Sequence, residues 1–373
     1  MDRMQDCGSC DRGSIPREST KVMVKKDNTE SLPTKLLLRN KEFLKGKNVL
    51  VLNPDSEASF GAIREIFPKK KITAFTPDYG VYRNLTQKFW DKENVKIFFG
   101  HFYDPEEKHD LVILHLPKSK DLIEYFLALT SFVSKKDAPV ILIGENDAGI
   151  KSAGKILEKA VGKISHKDNA FHSSFFLALN QNFSGRFSLE NWIKLWTSDI
   201  HNLKIASLPG VFSKGEIDPG TKILLENISL PKNASVLDWG CGNGTIGLFL
   251  QKKYGCNVDF VDSSAFALEA TKITLKENGI DVVRIFPSDI FSDVKGEYDF
   301  IVSNPPFHKG IKNFYGATEK FLLEAPARLK LGGKIFIVAN SFLKYEPIIE
   351  KSFGNFREVL NNKKYKILVA TRG

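Results

Sequence analysis

Cysteine is scarce in this sequence: Cys7, Cys10, Cys241 and Cys256 are the only four in 373 residues. That is too few to staple a small secreted fold, and it points to a reducing, cytoplasmic setting. Cys7 and Cys10 form a lone C-x-x-C. A structural zinc needs four ligands and no second pair follows, so no metal is expected. Long apolar runs are missing as well. No stretch approaches the roughly 18 residues of a membrane-spanning helix, so no membrane partner is expected. The first residues mix charges (Asp2, Arg3, Asp6, Asp11, Arg12) and hold no apolar segment of the kind that opens a secretory signal.

What is present is ordinary globular material. Hydrophobic residues make up 42% and charged residues 26% of the chain, which excludes a disordered or collagen-like protein and is enough for two sizeable cores. Acid is the charge in deficit, with 54 Lys and Arg against 44 Asp and Glu, a net charge of +10. The excess is local. Residues 201–300 carry 10 basic and 13 acidic side chains, whereas residues 301–373 carry 13 and 5. Such a stretch is either a phosphate-binding face or a solvated, lysine-rich surface.

Residues 1–33 are polar and without periodicity, and read as a disordered tail. From Lys35 onward short apolar runs alternate with longer amphipathic segments. The runs are Val49–Leu52, Ile72–Phe75, Val95–Phe99, Leu111–Leu114 and Val140–Ile143. The rhythm restarts at Ser235–Leu237, Val258–Val261, Val282–Phe286, Phe300–Val302 and Lys334–Val338. Val49 to Val236 is an offset of 187, Ile72 to Val258 is 186, and Asp110 to Asp299 is 189. A near-constant offset over five runs predicts an α/β protein made of two tandem Rossmann-like domains that arose by duplication, each with a mostly parallel sheet. The boundary falls between Asn180 and Leu208, giving domains over residues 34–190 and 191–373. Trp192 and Trp196, four residues apart, are expected on one helix face as an interdomain or core anchor.

The segment Ala234-Ser-Val-Leu-Asp-Trp-Gly-Cys-Gly-Asn-Gly-Thr-Ile-Gly247 ends a strand and opens a helix. Gly240, Gly242 and Gly244 let the backbone bend sharply and approach a ligand. The spacing Gly242-x-Gly244-x-x-Gly247 also fits a dinucleotide fingerprint. Asp238, however, precedes the glycines. A carboxylate there would repel a pyrophosphate and would favour a cofactor with a cationic end, which points to S-adenosylmethionine. Cys241 lies within the same bend and is counted with the cofactor contacts. Asp262 ends the next strand, 24 residues on, where an acid can accept from both ribose hydroxyls. Asp289 ends the third and could accept from the adenine amine. Each acid could instead be a helix cap or loop residue. All three at the carboxyl ends of consecutive strands favour the cofactor reading.

Asp299-Phe-Ile-Val-Ser-Asn-Pro-Pro-Phe-His-Lys-Gly310 runs from a strand straight into Asn304-Pro305-Pro306-Phe307. Proline stiffens the backbone. The Asn304 side-chain carbonyl and the Pro305 main-chain carbonyl are two acceptors that can hold an amino group, and Phe307 can stack on an attached flat ring. Fixed carbonyl dipoles would stabilise the positive charge that builds on the nitrogen, and alignment would supply the rest. No strong general base is needed, because the product nitrogen is very acidic. His308 reads as a surface or stacking residue, with proton relay as the alternative. Lys309, Lys312 and Lys320 would suit phosphate contacts.

These residues resemble the RsmC-like small-subunit ribosomal RNA guanine-N(2) methyltransferases. Besides the two motifs, Leu208-Pro-Gly-Val-Phe-Ser213, Ile217-Asp-Pro-Gly-Thr221, Ile337-Val-Ala-Asn-Ser-Phe-Leu-Lys-Tyr345 and Phe353-Gly…Lys364-Tyr365-Lys366 carry the likeness. The resemblance implies tandem class I methyltransferase domains with only the second catalytic, acting on ribosomal RNA or the small ribosomal subunit. It implies that Asp238, Gly240, Gly242 and Gly244 hold the methionine end of the cofactor, Asp262 the ribose and Asp289 the adenine. Asn304 and Pro305 would hold the guanine amine. The first copy agrees, having Asn53-Pro-Asp-Ser-Glu-Ala58 in place of the glycine bend and His115-Leu-Pro-Lys-Ser-Lys120 in place of the clamp. Trp239 departs from the small or aliphatic residues common there, and packs over the pocket or fills the core. Other readings stay open at this point: a large-subunit RNA enzyme, a methyltransferase of a protein glutamine amide or of DNA adenine, an NAD-dependent oxidoreductase, or a non-catalytic RNA-binding module.

Overall fold

The structure is a computed structural model that describes residues 30–281, 284–305 and 312–373, with the backbone alone for 312–315. Cys7 and Cys10 lie outside the described residues. So do residues 1–29 of the segment read as a tail, Val282 and Val283, and Pro306, Phe307, His308 and Lys309 of the second motif.

The first half comprises α1 (Leu32–Arg39), β1 (Asn48–Leu52), α2 (Glu57–Ile66), β2 (Lys71–Thr76), α3 (Tyr79–Phe89), β3 (Val95–Phe99), β4 (Leu111–His115), α4 (Lys120–Val133), β5 (Pro139–Glu145), α5 (Ile150–Ala160), β6 (Ile164–Ala170) and β7 (Ser173–Leu179). β1 and β4 are buried along their whole length, as expected of parallel strands covered on both faces. A ribbon of β8 (Lys194–Thr197) and β9 (Lys204–Ser207) follows. The second half repeats the plan with α6 (Pro219–Asn227), β10 (Ser235–Trp239), α7 (Thr245–Tyr254), β11 (Asn257–Asp262), α8 (Ala265–Glu277), β12 (Arg284–Pro287), β13 (Tyr298–Ser303), α9 (Lys312–Glu324), β14 (Leu329–Asn340), α10 (Glu346–Phe353), β15 (Arg357–Asn361) and β16 (Tyr365–Thr371).

The two sheets have one topology. The first runs β3-β2-β1-β4-β5-β7-β6 and the second β12-β11-β10-β13-β14-β16-β15. Five strands of each are parallel, and the last two close the sheet as an antiparallel hairpin. The matched aspartates make the same contacts in both halves. Asp110 accepts the N–H of Asn48 at 3.0 Å and pairs with Lys135 at 2.7 Å. Asp299 accepts the N–H of Ser235 at 2.8 Å and pairs with Lys330 at 2.9 Å. Each pins the start of a central strand to its neighbour.

The halves meet through equivalent loops. The Tyr79 N–H donates to the Ser263 carbonyl at 2.8 Å, and the Ala265 N–H donates to the Pro77 carbonyl at 2.9 Å, flanking a bridge between Asp78 and Ser264. Asp78 and Ser264 are 186 apart, the offset of the repeat, so each loop pairs with its own counterpart. Both also cap their helices, Asp78 accepting from Val81 N and Ser264 from Ala267 N. Behind this seam Phe266 is buried, its ring 4.9 Å from that of Tyr125 and 6.1 Å from that of Phe126. Asp121 of the first half accepts the Gly210 N–H at 2.8 Å and pairs with Lys214.

One sequence expectation needs correction. Trp192 and Trp196 do not share a helix face. Trp192 ends a short 3-10 turn and packs on Tyr125 at 5.2 Å. Trp196 lies in β8 and donates to Ser207 Oγ at 3.1 Å, because pairing with β9 takes over at Lys194. They anchor to different cores. At the end of the segment read as a tail, Ser31 caps α1 and Pro33 sits in its first turn. The antiparallel hairpins at the far end of both sheets are a further addition.

Candidate active site

β10, β11, β12 and β13 deliver their carboxyl ends to one edge. The strand order reverses between β10 and β13, so the crevice lies where open α/β sheets bind ligands. In parallel register Asp238 lies opposite Phe260 and Val302, and Asp262 opposite Pro287. The three acids and Asn304 therefore share one rim.

The bend after β10 is left-handed at Gly240, Gly242 and Gly244, with φ of 68°, 59° and 78°. A Cβ on Gly240 or Gly242 would meet no atom within 4 Å, so these residues face open space. Gly247 is a packing glycine, since a Cβ there would sit 2.3 Å from the Phe260 ring. The Gly242 N–H donates to Asp262 Oδ2 at 3.0 Å and the Ser264 N–H to Asp262 Oδ1 at 2.8 Å. Each carboxylate oxygen keeps a lone pair for a further donor. Burial raises the Asp262 pKa, and the backbone bonds only partly oppose this.

Asp238 is wholly buried. Its Oδ2 accepts the Gly247 N–H at 2.8 Å, while Oδ1 has no partner. Burial pushes its pKa up to about 7. An unpartnered buried carboxylate oxygen beside an open glycine bend fits a cationic cofactor end. Cys241 lies on the inner side of the bend. Its N–H goes to Val261, its carbonyl accepts from Gly244, and its buried thiol, 3.4 Å from Thr271 Oγ1, is pushed well above the usual range by burial and by the Asp262 and Asp238 charges. It shapes the bend from inside.

Asp289 is half-buried, its N–H held by Ser292 Oγ at 3.1 Å. The next residue, Ile290, has φ of 57°, a costly left-handed conformation for a β-branched side chain. The Ile290 carbonyl accepts from Trp239 Nε1 at 3.0 Å and from Ser288 Oγ at 3.1 Å. Trp239 stacks on Phe321 at 3.8 Å. This departure from the family pattern is thus a brace for the Asp289 loop. The first half reaches the same loop. A Cβ on Gly80, in the first turn of α3, would stand 3.4 Å from Asp289 Cγ, and Arg83 lies 4.0 Å from Asp293. Neither contact has a sequence signal.

Asn304 follows β13 directly, and Ser303 Oγ ties that strand end to the Trp239 carbonyl at 2.8 Å. Asn304 Nδ2 donates to Asp218 Oδ1 at 3.0 Å and to Thr221 Oγ1 at 2.9 Å. Pro305 is buried. Pro306, Phe307, His308, Lys309 and the Lys312 side chain lie outside the described residues. The basic C-terminal stretch is not one open face: Lys366 is buried against Glu346, Lys330 pairs with Asp299 and Arg372 with Glu297. Among the described residues no His, Cys, Asp and Glu cluster could hold a metal ion, and no helix is long and apolar enough to cross a membrane.

In the first copy the bend survives without its pocket. Asn53 replaces Gly240 and keeps the left-handed turn, with φ of 52°. Its N–H reaches the Phe75 carbonyl at 2.8 Å, as that of Gly240 reaches Val261 at 2.9 Å. Asp55 and the buried His115, 3.7 Å apart, stand where the second copy is open.

Residues 34–196 match the family described as methyltransferase small domain N-terminal, and residues 202–369 match the methyltransferase small domain. The ribosomal RNA small subunit methyltransferase C of Colwellia psychrerythraea is 38% identical over 345 residues, covering 90% of this chain and 96% of that protein. Its counterpart from Aliivibrio salmonicida is 36% identical, covering 92% and 99%. Among solved structures, the T. thermophilus 16S rRNA N2 G1207 methyltransferase (RsmC), in complex with AdoMet and guanosine, superposes with a TM-score of 0.79. It is 24% identical and covers 93% of both chains. Given the doubled topology, the single intact glycine bend and identity above 30% over nine-tenths of the sequence, this chain belongs to the family of ribosomal RNA small subunit methyltransferases C.

Proposed function

We propose that this chain transfers a methyl group from S-adenosylmethionine to the exocyclic N2 amine of a guanine in 16S ribosomal RNA, in the cytoplasm. The observation that carries the reading is one rim holding the open glycine bend, three acids and the Asn304–Pro305 acceptor pair. Residues 191–373 form the catalytic half, and residues 34–190 brace it.

S-adenosylmethionine, when bound, supplies a methyl group on a sulfonium. Gly240 and Gly242 give it backbone clearance, Gly244 completes the bend packed on Thr271, and the free Asp238 Oδ1 is turned toward its cationic end. Asp262 accepts from the ribose hydroxyls through the lone pairs its backbone bonds leave over. Asp289 accepts from the adenine amine. Asn304 Oδ1 and the Pro305 carbonyl accept the two N–H bonds of the guanine amine, aim its lone pair at the methyl and stabilise the positive charge that develops there. Phe307 stacks on the base, which must be turned out of any helix; His308 is a surface or stacking residue beside it, and Lys309, Lys312 and Lys320 meet neighbouring phosphates.

The test uses small ribosomal subunits isolated without this methyl group. Full-length protein with S-adenosylmethionine is expected to produce N2-methylguanosine in nuclease digests of the 16S RNA. Asn304→Ala should retain cofactor affinity and lose most turnover. Methyl transfer to a protein glutamine or to DNA adenine instead, or wild-type turnover by Asn304→Ala, would sink the reading.

A further inference from the structure

We propose that Asp218 and Thr221 are positioning residues that fix which way the Asn304 amide faces, and that this lock makes the site select an amino group over an oxo group. The inference rests on Asn304 being the amine acceptor.

A side-chain amide has two nearly isosteric ends with opposite hydrogen-bonding character. Presented oxygen-first, Asn304 accepts from an amine. Presented nitrogen-first, it would donate to a carbonyl, such as the oxo group on the six-membered ring of guanine. An amide has two N–H bonds, and Asn304 directs both inward, to Asp218 Oδ1 at 3.0 Å and Thr221 Oγ1 at 2.9 Å. Oδ1 is therefore the end left for substrate. The two acceptors are not equal. A threonine hydroxyl can donate as well as accept, so alone it would tolerate either orientation. An ionised aspartate only accepts, and a flipped Asn304 would set oxygen against oxygen.

Asp218 is itself held rigidly. It is the N-cap of α6, with Oδ1 accepting the Thr221 N–H at 3.0 Å and its carbonyl accepting from Lys222 N at 2.8 Å. Pro219 stiffens the first turn. Gly220 leaves no slack, since a Cβ there would lie 3.0 Å from Asp218 Oδ1 and 3.1 Å from the Tyr365 ring. One carboxylate oxygen thus ties the helix end to the substrate-facing amide.

Serine at 218 would still cap α6 but is too short to reach Asn304, whereas asparagine keeps an acceptor at the same distance. In the full-length protein, Asp218→Ser is expected to lower kcat by about tenfold or more, the equivalent of one charge-assisted hydrogen bond. The KM for RNA, the S-adenosylmethionine Kd and Tm should change by little. Asp218→Asn should recover most of the turnover. Thr221→Val should lower kcat in the same way, more mildly. Asn304→Asp should be inactive, with two carboxylates face to face, and adding Asp218→Asn to it should restore turnover. Wild-type kcat in both Asp218→Ser and Thr221→Val, beside an inactive Asn304→Ala, would overturn the lock and leave the amine-acceptor reading standing. Wild-type kcat in Asn304→Ala would remove that reading itself. If Asp218→Ser fails to fold, Thr221→Val and the reciprocal exchange at 218 and 304 decide: unchanged kcat in the first and no rescue in the second overturn the proposal.

Discussion

Asp238 shows how burial turns an ordinary carboxyl into a proton-sensitive part. Removal from water outweighs its single bond from Gly247 and lifts its pKa from 3.8 to about 7; Asp262 moves in the same direction. A folded-state value above the unfolded one means that the folded chain keeps a proton the unfolded chain has already released. The fold then gains stability from this group at low pH and loses it as pH rises from about 4 through about 7. The cofactor-free protein should therefore show a falling Tm between about pH 5 and pH 8. Asp238→Asn, neutral throughout, should flatten that fall. Equal slopes in thermal melts of the two proteins would contradict the assignment. The residue types were legible in the sequence, because three acids at strand ends beside glycines admit few chemistries. The through-space roles were not. Trp239 is 51 residues from the carbonyl it supports and Asp218 is 86 from the amide it holds.

Elements divide the same way. β1, β4, β5, β10 and β11 announce themselves as apolar runs because both sheet faces are covered. The far hairpins do not, since β6 alternates half-buried and exposed residues without a strong apolar face. The loop after β12 is the element whose energetics bear most on function. It holds Ile290 left-handed, at a cost of about 1–3 kcal/mol, offset by Trp239 and Ser288 donating to its carbonyl. Trp239→Phe keeps the stack on Phe321 and deletes the donor. It should lower unfolding free energy by about 1–2 kcal/mol and weaken S-adenosylmethionine binding through Asp289. Calorimetry and denaturant titration measure both, and an unchanged Kd would mean that Asp289 holds its place without the indole.

At the scale of the molecule, the two halves share a packed seam. Phe266 opens α8 four residues after Asp262 and buries its ring among Tyr125 and Phe126 of the other half. Phe266→Ala should cost about 3–5 kcal/mol and lower the urea midpoint of a single shared transition. Two separate transitions, with the first half unmoved, would show that the halves stand independently.

The paired loops at 77–79 and 263–265 carry a symmetry consequence. Matching segments that clasp one another reciprocally are the mark of a self-complementary contact, the kind two identical subunits make about a dyad. The chain holds within itself a join that would otherwise need two copies, and the Asp55 and His115 that stand on one side of it leave the clasp itself unaltered.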